Sequence, residues 1–316
     1  LWAAHAVHHQ SEDYNLSTAL RQTSTGFLFG WIFYLPLFLI GFPLEVMIAV
    51  NAINLIYQFW VHTQIVTRLG VFDRILVTPS NHRVHHAQNE RYIDKNYGGM
   101  LILWDRMFGT FEDEAADEPV VFGVRKPLAS WNPFWANLQV YDYLLFDARN
   151  ASSWRDKIGV WFRRTGWRPP DVEARFPRSK TTTDDFQKYD PPVSRPVRRY
   201  VLAQFAVAII AALVIAELFA QRGAAAVVVP CVWLWAQLYT LGLLNEGRNM
   251  AFRSELIRLV LVTPILFLVF QQSADGLDRS AGAWSILAAY VFVSALGLSA
   301  ASAKSTAKWR SVDERS

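Results

Sequence analysis

Asn81-His82-Arg83-Val84-His85-His86-Ala87 repeats a pattern that opens the chain, Trp2-Ala3-Ala4-His5-Ala6-Val7-His8-His9. Both stretches carry H-x-x-H-H. One further histidine, His62, lies between them, and none follows His86. On a helix, positions i, i+3 and i+4 project from one side. Each box therefore predicts a short helix that fans its imidazoles toward a common point. Imidazole binds iron, zinc, copper and nickel. A lone histidine on an apolar face is ordinarily structural, but seven in two matched boxes plus one are not. His5, His8, His9, His62, His82, His85 and His86 are the candidate metal ligands. Seven imidazoles exceed the four ligands of a structural zinc and suit two ions. Zinc-dependent hydrolysis is disfavoured, because H-E-x-x-H is missing and no Glu adjoins a box histidine. The ligand set by itself leaves iron and zinc both open.

Apolar sequence surrounds the boxes. The chain of 316 residues is 52% hydrophobic and 14% aromatic, and the apolar residues come in blocks. Residues 26–50 and Leu44–Ile65 are two runs near the ~20 residues that a spanning helix needs. The break at Gly41-Phe42-Pro43 predicts a helical hairpin with both ends on one side. Four more blocks follow, at about 200–220, 224–245, 256–272 and 282–301, punctuated by arginines. The fold class read from this pattern is all-α: a polytopic integral membrane helical bundle with a histidine-rich di-metal site. The competing reading is a soluble protein with buried helices. The division expected is a catalytic domain over residues 1–199 and C-terminal transmembrane helices over 200–303.

Residues 68–199 hold 21 of the 31 Lys and Arg but 17 of the 27 Asp and Glu. Positive charge gathers on the cytoplasmic side of membrane proteins, so this region, and the di-metal site with it, is expected there. Past the acidic stretch Glu112 to Glu118, a long Pro- and Trp-rich segment to Arg199, with Pro169-Pro170 and Pro191-Pro192, suggests an irregular linker at the membrane surface, and Asn245-Glu246-Gly247-Arg248 suggests a simple loop. The single Cys231 excludes an internal disulfide framework and a cysteine-based metal site. Net charge is +4, with no compact Lys/Arg tract, which gives no reason to expect nucleic acid as a partner. Leu1 is followed at once by a ligand-bearing segment with no cap or basic leader, so an N-terminal truncation is expected.

Beyond the boxes, two motifs are specific: Asp94-Lys95-Asn96-Tyr97-Gly98 and Leu103-Trp104-Asp105-Arg106-Met107-Phe108-Gly109-Thr110-Phe111. With the boxes and His62 they resemble the membrane fatty acid hydroxylase/sterol desaturase superfamily. Trp161-Phe162-Arg163-Arg164-Thr165-Gly166-Trp167-Arg168-Pro169 and the extra C-terminal helices are similar to its alkylglycerol monooxygenase branch. The resemblance covers residues 1–200 well and the remainder loosely. It implies an O2-dependent non-heme di-iron monooxygenase that hydroxylates a lipid at the cytoplasmic face, with two Fe ions held by the seven histidines. For that branch it also implies cleavage of ether lipids, with tetrahydrobiopterin as reductant. The alternatives are a sterol desaturase or fatty acid hydroxylase fed by an electron donor protein, or a metal-binding membrane fragment without catalysis. The family begins with an H-x-x-x-H box and a preceding spanning segment. Neither occurs in residues 1–316, so turnover by this chain alone is not expected.

Asp94, Asn96, Tyr97 and Asp105 admit two readings, as groups that orient imidazole N–H bonds or as turn and capping residues around Gly98-Gly99. Trp104, Phe108 and Phe111 either line a lipid groove or pack as ordinary helix neighbours, the second being the expectation.

Overall fold

The computed structural model describes residues 2–178, 182–273 and 281–313. Among them no strand forms; the extended chain makes only isolated bridges, Leu76 to Leu101 and Ala87 to Phe122. The all-helical expectation is met. Among the described residues, five helices are long and apolar enough to cross a membrane. The chain divides into two compact units: residues up to Ala129 with Trp135–Tyr189, and Ser130–Phe134 with the residues from Asp190 onward.

In the first unit, α1 (Trp2–His9) and α2 (Leu16–Ala19) precede a broken apolar arm. The arm is not the single helix that its apolar run suggests. It consists of the 3-10 turns Gly26–Leu28 and Gly30–Phe33 and the short α3 (Leu35–Leu39). Pro36 cannot donate an amide proton and crowds the carbonyl four residues back, and Gly41 turns the chain at φ +96°. The next helix, α4 (Leu44–Val61), starts at Pro43 and is a candidate span. Only Met47 and Val61 of α4 are buried, while Val46, Ile48, Val50, Ile53, Leu55 and Ile56 stay exposed. A bilayer covers such a face and requires the backbone bonds that a helix closes internally.

The unit continues through α5 (Pro79–His85), α6 (Leu103–Phe108), α7 (Pro133–Asn150, which joins this unit at Trp135), α8 (Trp154–Phe162) and α9 (Pro170–Arg175). The Pro- and Trp-rich stretch expected as an irregular linker is thus largely helical as far as Arg175. Pro79, Pro133 and Pro170 sit in first turns, where a missing N–H costs nothing and a fixed φ helps. Ser153 caps α8 by accepting from the Asp156 amide at 3.1 Å.

In the second unit, α10 (Arg195–Arg222), α11 (Ala224–Asn245), α12 (Ala251–Ile257) with α13 (Thr263–Ser273), and α14 (Ala281–Asp313) match the four expected blocks. A π-helical turn, Arg258–Val262, joins α12 to α13. Val197, Tyr200, Val201, Leu241, Leu244 and Leu259 belong to the core. The turn after α11 is more than a loop. The Glu246 carboxylate accepts from Ser130 Oγ and the Trp131 amide at 2.6 Å and from Arg248 at 2.7 Å.

Candidate metal centre

Three segments deliver the histidines. The helix α1 carries His5, His8 and His9; His62 caps the C-terminus of α4; α5 carries His82 and His85 and ends on His86. Four of the Nε2 atoms converge. His62 Nε2 lies 3.1 Å from His8, 3.1 Å from His82 and 3.2 Å from His86, and His82 lies 3.2 Å from His86. All four residues are buried.

Hydrogen bonding fixes where the protons are. His62 Nδ1 is 2.7 Å from the Gln58 carbonyl, and His8 Nδ1 is 3.1 Å from the Arg21 carbonyl. A carbonyl can only accept, so each Nδ1 carries the proton and each Nε2 presents a lone pair. Two lone pairs therefore face each other across 3.1 Å with no hydrogen between them. A cation at the centre turns that repulsion into coordination. Four imidazoles around a metal at the usual zinc–nitrogen length would stand about 3.3 Å apart, close to the separations here.

His5, His9 and His85 form a second group, with donor atoms within 4.8 Å of one another. His9 Nε2 is buried without a hydrogen-bond partner, as a nitrogen aimed at an ion would be. His85 Nδ1 is held by the Lys95 carbonyl at 3.3 Å. This group is open on one side, because His5 is exposed and His85 half-buried. The two groups adjoin, with His9 stacked on His86 at 4.3 Å between ring centroids. All seven expected histidines are thus brought together, divided four and three.

Electrostatics favours neutral rings. Burial and neighbouring His5 and His62 push His8 down to about 3. Burial and His5 push His85 down to about 4, against the Lys95 hydrogen bond. Burial with the surrounding imidazoles holds His9, His82 and His86 well below 6.5. Neutral imidazole is the form that binds metal.

The scaffold around the rings contains residues that the spacing did not reveal. Arg21 donates to the Val7 carbonyl and, at 3.1 Å, to Gln10 Oε1, tying down the end of α1. Gln10 in turn donates to Gln139 and the Ala136 carbonyl. Tyr14 is buried, donates to the Val61 carbonyl at 3.1 Å, and stacks on Phe122 beside His62 and His86. Arg83 forms an ion pair with Glu114 at 2.7 Å and donates to the carbonyls of Thr63, Val66 and Thr67. It clamps the chain after His62 onto the second box. Burial raises the Glu114 pKa, but bonds from Arg83 and Ser80 outweigh it and hold the carboxyl below its usual range. The signal for Arg83 was its place inside the box; the polar run from Gln10 to Asn15 was the signal for Gln10 and Tyr14.

The two readings of the Asp94 to Asp105 segment merge. Asp94 and Asn96 adopt positive φ, 59° and 54°, and the left-handed turn they make aims the intervening Lys95 carbonyl at His85. Asn96 donates to the carbonyls of Asn81 and Glu112, and Asp105 accepts from the amides of Tyr97 and Gly98 at 2.7 Å. Their side chains act on the backbone, and the backbone orients the ring. The expected helix packing of Trp104 and Phe108 is not found. They are 53% and 75% exposed and project outward from α6. Phe111 packs beneath the Arg106 guanidinium, 3.7 Å from its ring centre.

A family model described as fatty acid hydroxylase matches residues 1–110, a span that includes every histidine. The chain is 37% identical over 273 residues to alkylglycerol monooxygenase of Danio rerio, covering 83% of this chain and 58% of that protein. It is 45% identical over 173 residues to the Homo sapiens protein of that name, covering 54% and 37%. To ornithine lipid hydroxylase OlsE of Rhizobium tropici it is 30% identical over 137 residues, covering 41% and 39%. The chain thus spans about half the length, or less, of these relatives. No solved structure matches it significantly.

Proposed function

We propose that this chain, which belongs to the fatty acid hydroxylase superfamily and its alkylglycerol monooxygenase branch, is the metal-binding part of a membrane-bound, O2-dependent lipid monooxygenase. Ether lipids are the favoured substrate class, after the relatives' name. The observation that carries the reading is the opposed pair of lone pairs on His8 and His62, inside a ring of four buried Nε2 atoms. His8, His62, His82 and His86 would hold one iron, and His5, His9 and His85 the other. Iron at this site would supply activation of O2 and delivery of one oxygen atom to a C–H bond.

The chain's own residues do the positioning. The carbonyls of Arg21, Gln58 and Lys95 fix the ring protons on Nδ1 of His8, His62 and His85, and burial keeps the rings neutral. The open side at His5 is where a substrate can approach. The exposed faces of α4 and α6 keep the unit against lipid, the phase in which such a substrate dissolves. The Lys and Arg excess of residues 68–199 supports a cytoplasmic site. Tetrahydrobiopterin as reductant rests on the branch, and an electron donor protein is the alternative.

Lipid profiles test the proposal. Three cell lines are compared: one with the gene, one with its His62→Ala version, and one without it. Ether lipids are expected to fall with the intact gene alone. New hydroxy fatty acids or desaturated sterols instead would favour the donor-protein alternative. Identical profiles in all three would contradict an oxygenase.

A further inference from the structure

A second feature lies wholly within the C-terminal unit and goes beyond the proposed oxygenase chemistry. A cavity of about 310 Å³ opens among α10, α11, α13 and α14. This is the lower end of the range for small-molecule sites, about 300–1,000 Å³. Twelve residues line it, and among them only Trp233, Thr263 and Tyr290 bring polar side-chain atoms. Each of these is already used. Trp233 Nε1 donates to Thr263 Oγ1 at 3.1 Å, and Thr263 Oγ1 donates to the Arg258 carbonyl at 2.8 Å. Tyr290 donates to Gln204 at 2.9 Å and accepts from Arg258 at 3.2 Å. The wall therefore offers an occupant apolar contact and nothing else.

Two features mark the same place. Ionisable groups within spanning segments are expensive and ordinarily functional, and here Arg258 pairs with Glu255 at 2.6 Å, both buried. Glu255 also accepts from Tyr200 and Thr240 at 2.6 Å. The pair makes a closed polar floor reached through Tyr290. The helix passing the cavity also widens into the π-turn Arg258–Val262, a distortion concentrated at functional sites. Pro264 lacks the amide that would have closed the regular turn on Val260. Arg258 opens the widened turn on the floor side, and the following turns of α13 bring Leu266, Phe267 and Phe270 to the cavity wall.

We infer that this cavity binds one hydrocarbon chain of a membrane lipid, acyl or alkyl. A headgroup or hydroxyl in this position would lose its own hydrogen bonds against a wall with none to offer. The segment that lines it is part of candidate spans, so a bilayer lipid can supply the chain directly.

The test uses a phosphatidylcholine with a photoreactive diazirine in its acyl chain, incorporated with the whole protein into vesicles. Cross-linked residues are located by mass spectrometry. Label is expected to concentrate on Trp233, Phe267 and Phe270, above the level on Leu213 and Val214, which face outward from α10. Ala283→Phe and Val229→Trp each fill the cavity from a different helix. Either should cut cavity labelling about tenfold, equivalent to about 1.4 kcal/mol of binding, while labelling of Leu213 and Val214 stays constant. If one variant fails to fold, the other decides. Equal labelling of cavity and outer residues in the unsubstituted protein would overturn the assignment, as would cavity labelling that a folded filling variant leaves unchanged.

Discussion

The two units each bury a polar assembly, and the two are built on opposite principles. In the C-terminal unit, Glu255 and Arg258 are matched donor for acceptor, with Tyr200, Thr240, Tyr290 and Gln204 completing the set. The ion pair is finished as it stands, and the one unmatched atom beside it is the neutral Gln237 Oε1. In the histidine unit the bookkeeping does not close. Carbonyls take the Nδ1 protons, Nε2 lone pairs face one another, and His9 Nε2 and His82 Nδ1 lack partners. Buried polar groups are ordinarily hydrogen-bonded. A dense cluster that breaks this rule with one kind of atom is a binding site for what that atom binds. A matched cluster asks for no ligand of its own, though it can floor a site, as Glu255 and Arg258 do.

The contrast can be broken at several points. The largest effect should follow from unbalancing the matched pair. Glu255→Leu leaves Arg258 buried without its carboxylate, and removal of one partner of a buried pair costs about 3–5 kcal/mol. Unfolding of the purified protein in graded denaturant measures it, and a cost below about 1 kcal/mol would mean that the pair is not shielded as described. Acid should separate the units next. The histidines have folded pKa values below the unfolded 6.5, chiefly through burial, with His85 at about 4 and His8 at about 3. The unfolded chain thus takes up protons first as pH falls. Stability of the metal-free histidine unit should be level above pH 7, begin to fall near 6.5 and keep falling toward 4. The C-terminal unit, which has no histidine, should hold steady between pH 7 and 5. Hydrogen exchange resolved by peptide checks this, and equal weakening of both units would contradict it.

The smallest effect is the most informative about the unmatched cluster. His82→Phe removes one of the four convergent rings, and its Nδ1 has no hydrogen-bond partner to lose. In metal-free protein this substitution gives up at most one imidazole–imidazole hydrogen bond from His82 Nε2, so it should change unfolding free energy by no more than about 1 kcal/mol. In iron-loaded protein it should be strongly destabilising. A large cost without metal would show that the rings hold each other.

Much of this was legible in the sequence, for identifiable reasons. Two H-x-x-H-H boxes on helical spacing announced the histidines, and block hydropathy announced α4 and the four C-terminal helices. The four-and-three division was not legible, because it depends on how α1, the end of α4 and α5 meet. The carbonyls of Arg21, Gln58 and Lys95 were hidden because backbone groups carry no sequence signature. Gln10 reaches Ala136 across 126 residues, a pairing that no local pattern records. The division of the arm before α4 into short turns was hidden because apolar content outweighed Pro36 and the glycines. The helices from α7 to α9 were misread because prolines in first turns look like breaks until the helix behind them is seen.

Metal content of the purified protein tests the unmatched cluster most directly. Protein prepared without oxygen and analysed by plasma emission should contain two iron ions per chain. His62→Ala, in the buried group, and His85→Ala, in the open group, should each lower that number. A single tightly held zinc, unchanged by either substitution, would contradict a two-iron centre built from these seven histidines.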